Sequence, residues 1–369
     1  MKVKKYKFNK NTKIKNPLRV FFLCGTRFLK NEEEDKRNVL KKYIETKYAP
    51  NSKAIILEEH FMFGEAGNDY LSYDKIFMKN LKDIELLTGL YSDKIFIIHE
   101  SISTAAELGM FASNPNLLKK TCLMIPDILA VEEEKISAFI RLAYFKNPSE
   151  EEKIETITFY PKIKENKVSE TKVDYHTLFP GNSIRKRLGL QIDQFIKKDY
   201  DENFEINFKR NRFNKAFENE NTISYFYYDK EDEKTLKVII PPTVLKVLLI
   251  ALFNIPEFKQ GLRKTYNINK AVGVVESYFK SVIRESVSHI EANSFSDYKM
   301  NVSLKDKNIK IREAIAYLLY ILQALGMLKL PDDKADKQQL VITTQFKQLY
   351  EGNFNILKEI KKSKLTDSL

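Results

Sequence analysis

Four short apolar runs, separated by amphipathic helical patterns, most narrow what this chain can fold into. Leu18 to Cys24 (LRVFFLC), Lys53 to Leu57 (KAIIL), Lys94 to Ile98 (KIFII) and Thr121 to Ile125 (TCLMI) are strand length and rich in β-branched or aromatic residues. Unbroken rather than alternating apolarity is what a strand covered on both faces requires, as in a parallel sheet. Between the runs lie helical patterns. Glu33 to Tyr48 carries Val39, Leu40, Tyr43 and Ile44 on one face, and Tyr73 to Leu90 carries Ile76, Phe77, Leu81, Ile84, Leu87 and Leu90. Ser103 to Ser113 makes a third helix. Strand and helix alternating through short links predict a doubly wound α/β domain with its ligand crevice at the carboxyl ends of the strands.

The rest of the chain reads differently. At 369 residues it is long enough for two or three domains. Residues 1–16 hold seven lysines and no acid. They read either as a solvated basic arm or as an arm whose Lys4, Lys5 and Lys7 touch phosphates. The α/β domain is expected over 17–145. Residues 146–240 are charged and poorly periodic, with strand-like pieces at Thr156 to Tyr160 and Ile223 to Tyr228, and read as a connecting region with a small subdomain. Its KRNRFNK stretch puts Lys209, Arg210 and Arg212 together, as a solvated loop or a nucleic-acid contact. Residues 241–369 read as mostly helical: Thr243 to Phe253, Ile268 to Val287 with Val272, Val275, Phe279 and Ile283, and Ile309 to Leu325. Two short strands around a charged loop follow, then a helix near Thr344. That order outlines a winged helix.

Two cysteines exclude a disulfide scaffold and a Cys-type zinc finger, and four scattered histidines offer little to a metal. No apolar signal region opens the chain, and the run Val247 to Phe253 is too short to span a bilayer. The expected compartment is a reducing cytoplasm. A net charge of +12 suits docking on nucleic acid.

The stretch that carries chemistry is Glu100 to Ser113, ESISTAAELGMFAS. It follows the third strand and opens a helix, with Ser103 and Thr104 as good N-cap residues. One reading of Glu107 is a capping box, in which it only returns a hydrogen bond to the cap. The other is a carboxylate facing a ligand in the crevice, beside the backbone donors of the helix amino terminus.

These residues resemble the nucleoside 2-deoxyribosyltransferase family. The first strand closing on Cys24-Gly25-Thr26, the Glu-Leu-Gly block of Glu107 to Gly109, and Ile125-Pro126-Asp127 after the fourth strand all fit it. The pattern is closer still to the deoxyribosyltransferase-like toxic effectors of bacterial retron anti-phage systems. There Phe22 to Gly25, Glu100 to Asn114 and Asn116 to Lys120 find counterparts. The resemblance covers the first third of the chain; over the last third it rests on element order. It implies flavodoxin-like or TIR-like layering, a carboxy-terminal winged helix, and cleavage of an N-glycosidic bond with Glu107 as nucleophile. It also implies a reverse transcriptase and its multicopy single-stranded DNA as partners, and sites often completed by a neighbouring subunit. The deoxyribosyltransferases carry an Asp six residues before the nucleophile, where this chain has Ser101 beside Glu100. Without that acid the leaving group should need no protonation. Nicotinamide departs from NAD as a neutral molecule, so NAD is expected as substrate, with no cofactor and no metal. A nucleotide-sensing DNA-binding regulator and a transferase or hydrolase of nucleotide metabolism are the rival readings.

The other site candidates each have a plain structural alternative. Gly25 and Thr26 approach a phosphate or sugar, or merely end a strand. Ser101 and Ser103 bind ribose hydroxyls, or cap the helix. His99 hydrogen-bonds a substrate, or is structural. Asp83 or Glu85, near Asn80, touches the ligand, or lies on a solvated face. Glu58, Glu59 and His60 line the crevice, or form a surface turn. Cys24 and Cys122 read as core.

Overall fold

The computed structural model describes residues 4–25, 35–60, 81–99, 101–126, 157–160, 163–167, 173–176, 179, 183–198, 203–212, 221–230, 232–305, 309–329 and 339–360. They form two units. One comprises residues 18–71 and 78–201, the other residues 1–17, 72–77 and 202–369.

The basic amino-terminal segment folds into strands β1 (Lys5–Phe8) and β2 (Thr12–Lys15). Its lysines alternate with apolar residues, and Phe8 and Ile14 are each 2% exposed. The Phe8 amide donates to Ser286 Oγ at 2.8 Å, and its ring centroid lies 6.1 Å from that of Phe279. The segment expected as an arm is therefore strand in the second unit, because a period-2 pattern buries one side and leaves the charges on the other.

The α/β unit follows the expected alternation. Its elements are β3 (Arg19–Cys24), α1 (Lys36–Lys47), β4 (Ser52–Ile55), α2 (Leu81–Tyr91), β5 (Lys94–Ile98), α3 (Ile102–Ala112), α4 (Pro115–Leu118), β6 (Thr121–Pro126) and β7 (Ile157–Tyr160). The five strands are all parallel, in the order β4-β3-β5-β6-β7. The chain thus winds one way from β3 to β4 and the other way from β5 onward. The topological switch falls between β3 and β5, where doubly wound sheets bind ligands. Val20, Leu23, Ile95 to Ile97, Cys122 and Leu123 have no exposed surface, as unbroken apolar runs demand.

Residues 146–240 do not form one connecting piece. Strands β8 (Ile163–Lys167) and β9 (Val173–His176) pair antiparallel. Helix α5 (Lys186–Lys197) then completes the α/β unit. Its Leu188, Ile192, Phe195 and Ile196 pack with Leu40 and Ile44 of α1 against Phe21, Leu23, Phe96 and Ile98. At about 1.5–3 kcal/mol per large apolar side chain, those four contribute on the order of 10 kcal/mol, too much for a linker. Asp193 of α5 is buried and accepts hydrogen bonds from Tyr43 (2.9 Å), Tyr48 (2.7 Å) and Lys47, which ties α5 to α1.

The second unit is built on a mixed sheet. Strands β10 (Asn203–Arg210), β11 (Thr222–Lys230) and β12 (Glu233–Ile240) lead into helices α6 (Pro242–Leu252), α7 (Pro256–Arg263) and α8 (Ile268–Glu291). Strand β13 (Lys299–Leu304), α9 (Ile311–Ala324), a hairpin of β14 (Leu328–Lys329) and β15 (Val341–Ile342), α10 (Thr344–Glu351) and β16 (Leu357–Ile360) follow. The sheet order is β13-β12-β11-β10-β2, and β16 pairs antiparallel with β1. The expected stripe Val272, Val275, Phe279 and Ile283 of α8 is fully buried. The helices expected from residue 241 onward are present; the sheet they accompany was not anticipated.

Candidate active site

Helix α3 starts just beyond β5, and its cap decides how Glu107 is read. The N-cap is Ser101, two residues earlier than Ser103. Ser101 Oγ accepts from the Thr104 amide at 3.3 Å, and the Ser101 amide donates to Thr104 Oγ1 at 3.1 Å. Thr104 thus closes the capping box, and Glu107, three residues further in, has no part in it. Ser101 Oγ lies 2.8 Å from Ser103 Oγ, and Thr104 Oγ1 lies 3.2 Å from His99 Nδ1. The three candidates His99, Ser101 and Ser103 therefore meet at the amino end of α3, tied together through Thr104.

Glu107 is half-buried, and its Oε2 is fully buried with no hydrogen-bond partner. An orphaned carboxylate oxygen is costly, so the group resists ionising. Burial is the largest reason its pKa rises from 4.5 to about 8; the like charges of Glu85 and Glu58 push the same way, and Arg37 opposes them. Glu85, on α2, is raised to about 7 by burial and by Glu58. The structure thus gathers three carboxylates, from the 3₁₀ turn Leu57–Glu59 after β4, from α2 and from α3, at the carboxyl end of the sheet.

Arg37 is the cation that offsets these acids. It is 1% exposed, in the first turn of α1. Asp35 caps that helix through Oδ1 and takes both Nε (3.3 Å) and Nη2 (3.2 Å) of the guanidinium. Nη1 donates to Glu58 Oε1 at 2.7 Å. Burial works against the charge, but Glu58 and Asp35 outweigh it and hold the guanidinium above its ordinary pKa. Arg37 also explains Gly25: a Cβ there would come within 2.9 Å of Arg37 Cδ. The glycine after β3 lets the backbone lie against the aliphatic stem of the buried Arg37.

The remaining candidates are distributed as follows. Asp83 is on α2, two residues before Glu85, and partly buried. Glu59 is bound to Lys41 at 2.6 Å and lies 3.6 Å from His60, whose pKa burial lowers. Burial, reinforced by Glu107, pushes the Cys24 thiol well up, which suits a core residue and not a nucleophile. Thr26, Asn80, Glu100 and Asp127 lie outside the described residues. Among the basic candidates, Lys4 pairs with Glu359 and Lys5 with Glu285. Lys7 lies opposite Lys358, and burial followed by that like charge lowers its pKa. Arg210 is committed to Glu291 at 3.4 Å and stacks 4.3 Å from the Tyr227 ring centroid. Lys209 and Arg212 are exposed. Arg37 and Asp35 were not anticipated; the signal was an N-cap aspartate two residues before an arginine, inside the charged run NEEEDKR.

A parallel α/β sheet with three carboxylates gathered at its carboxyl end, one of them holding a buried oxygen without a partner, is what makes this the candidate site. The family model of the STM3845 retron effector protein matches residues 33–330, and the chain belongs to that family. Its role is accordingly in retron defence. No curated protein matches the chain. Among the described residues no helix is long and apolar enough to cross a membrane, and no group of three or more His, Cys, Asp and Glu is placed to hold a metal ion.

Proposed function

We propose that the α/β unit is an N-glycosidase that cleaves the nicotinamide–ribose bond of NAD, with Glu107 as nucleophile. The observation that carries this reading is the Glu107 carboxylate, released from the helix cap, with a buried oxygen that has no partner. A site of three carboxylates and one buried guanidinium favours a cation. The pyridinium ring of NAD supplies one in the ground state, and the oxocarbenium-like transition state moves that charge onto the sugar. Such a charge beside Glu107 lowers its pKa and ionises the nucleophile as the substrate arrives.

The bond between the anomeric carbon and the pyridinium nitrogen breaks with both electrons going to the ring, so nicotinamide leaves neutral. Glu107 stabilises the sugar cation or closes on it covalently. Water then adds its oxygen to the anomeric carbon; where the ester has formed, its carbon–oxygen bond breaks with both electrons returning to the Glu107 carboxylate, and the water gives up a proton. Glu85, with a pKa of about 7, is matched to accept it near neutral pH. Ser101 and Ser103 offer hydroxyls to the ribose.

In this reading the α9 helix and the β14–β15 hairpin serve, winged-helix fashion, to dock on a reverse transcriptase and its multicopy single-stranded DNA. The chain works as a cytoplasmic oligomer whose activity is held back until released. The test is nicotinamide release from NAD by purified protein, wild type beside Glu107→Gln, with deoxyribonucleosides as parallel substrates. Release that vanishes in the variant supports the proposal. Base release from deoxyribonucleosides alone turns it toward transferase chemistry. Total NAD that stays constant during phage infection of cells carrying the active system overturns it.

A further inference from the structure

The mixed sheet of the second unit has two unlike faces. Along one, Ile206, Phe208, Tyr225, Leu236, Val238 and Val302 are buried. Pairing register places the alternate residues together on the other, where the small Thr222, Ser224 and Thr235 are buried and the longer side chains around them reach the surface. That face carries Lys13 and Lys15 of β2, Lys209 of β10, Lys230 of β11, Lys237 of β12 and Lys299 of β13. All but the half-buried Lys237 are exposed. Its acids are Glu205 and Glu233, directly opposite Lys13 and Lys230. Six lysines against two glutamates leave four net positive charges. At the centre, Phe226 and Tyr228 stand side by side on β11, both half-buried. The Lys237 ammonium lies 5.4 Å from the Phe226 centroid and 5.5 Å from that of Tyr228. Asn301, in register with Lys237 on β13, is exposed beside them.

We propose that this face binds single-stranded nucleic acid, with bases stacked on Phe226 and Tyr228 and phosphates met by the surrounding lysines. The chemistry selects that ligand. Two ring faces within one strand, spaced by one residue, suit successive unpaired bases. A duplex keeps its bases stacked inward and offers the rings nothing. In the free protein Lys237 occupies the ring faces as a cation; a base arriving there frees its ammonium for a phosphate. The neighbouring basic residue Arg210 points to the opposite face, where Glu291 and Tyr227 hold it, so the working surface is the sheet and not the basic stretch as a whole. This inference does not depend on the glycosidase reading.

The experiment measures fluorescence anisotropy of labelled (dT)20 with the full chain, across a salt series. Wild type is compared with Phe226→Leu/Tyr228→Leu, which keeps the charge, and with Lys237→Gln/Lys299→Gln, which keeps the rings. Removing each ring should weaken binding about 5- to 150-fold. The lysine pair should reduce the slope of log affinity against log salt by roughly 0.7 for each phosphate no longer neutralised. A duplex of the same length should bind more weakly than the single strand. The proposal is overturned if the leucine variant binds as wild type does, if the duplex competes equally, or if polyaspartate displaces the probe as well as unlabelled (dT)20. The last result would make the face a dock for an acidic protein. Should the leucine variant fail to fold, an unchanged salt slope in the glutamine variant overturns the proposal alone.

Discussion

Replacing Glu107 by Gln should abolish chemistry and stabilise the fold together, with a pH signature. The carboxyl pKa rises from 4.5 to about 8 on folding, chiefly through burial. A raised acid pKa means that the folded state holds a proton which the unfolded chain releases. Glu107 therefore costs nothing below pH 4.5. Its penalty grows as pH rises and levels off only above pH 8. At pH 7 the gap is 2.5 pH units from the ordinary value, or about 3 kcal/mol at 1.36 kcal/mol per unit; above pH 8 it approaches roughly 5 kcal/mol. Glu85 shares the same burial and repels Glu107, so these figures are upper values for the pair. Gln is neutral at every pH and nearly the same shape, so E107Q should melt at about the wild-type temperature at pH 5. At pH 7 it should melt higher, by roughly 5–10 °C for an increment of this size. The assay is thermal unfolding of both proteins from pH 5 to pH 9. Every other titrating group is common to the two, so the difference reports Glu107 together with its coupling to Glu85. Parallel curves, or a variant that is less stable at pH 8, would refute the reasoning about the orphaned oxygen.

Two further outcomes follow from the same cluster. Glu85→Gln removes the strongest like charge on Glu107, so the rise of kcat/KM for NAD with pH should move to lower pH; an unmoved profile would place Glu85 outside the site's electrostatics. Gly25→Ala forces a methyl group to within 2.9 Å of Cδ of Arg37, a side chain that is 1% exposed and held at its end by Asp35 and Glu58, and should cost about 1–3 kcal/mol in urea denaturation, while Gly109→Ala, with open space around it, should cost nothing.

How much of this was legible in the sequence depended on how local the signal was. The strands β3 to β6 were legible because a parallel strand is apolar on both faces, and a run such as KIFII has no other use. The stripe of α8 was legible for the same local reason. Strand β1 was not: in KYKF the charges are conspicuous, while the burial of Phe8 depends on α8, nearly 280 residues away. Helix α5 was hidden by RKRLGLQIDQFIKK, whose flanking charges mask four core side chains. Glu107 stood out in the sequence as a position, but its absence from the helix cap was visible only once Ser101 and Thr104 were seen to bond each other. Arg37 escaped because a buried arginine and a solvated one look alike in a run of charges. What tells them apart is Gly25 at one side and Glu58 at the other, both distant in sequence.

The pairing of β1 with β16 gives synthesis a definite timetable. Residues 5–8 leave the ribosome early and wait for residues 357–360. The α/β unit lies between them and is complete by residue 201. At about 5–20 residues per second, some 160 residues separate its completion from the emergence of β16, an interval of roughly 10–30 s. Strand β2 can pair with β10 as soon as residues 203–206 emerge, but β1 cannot complete its own pairing sooner, since its partner strand does not yet exist. The carboxylate site is thus assembled while the chain's first strand is still unpaired.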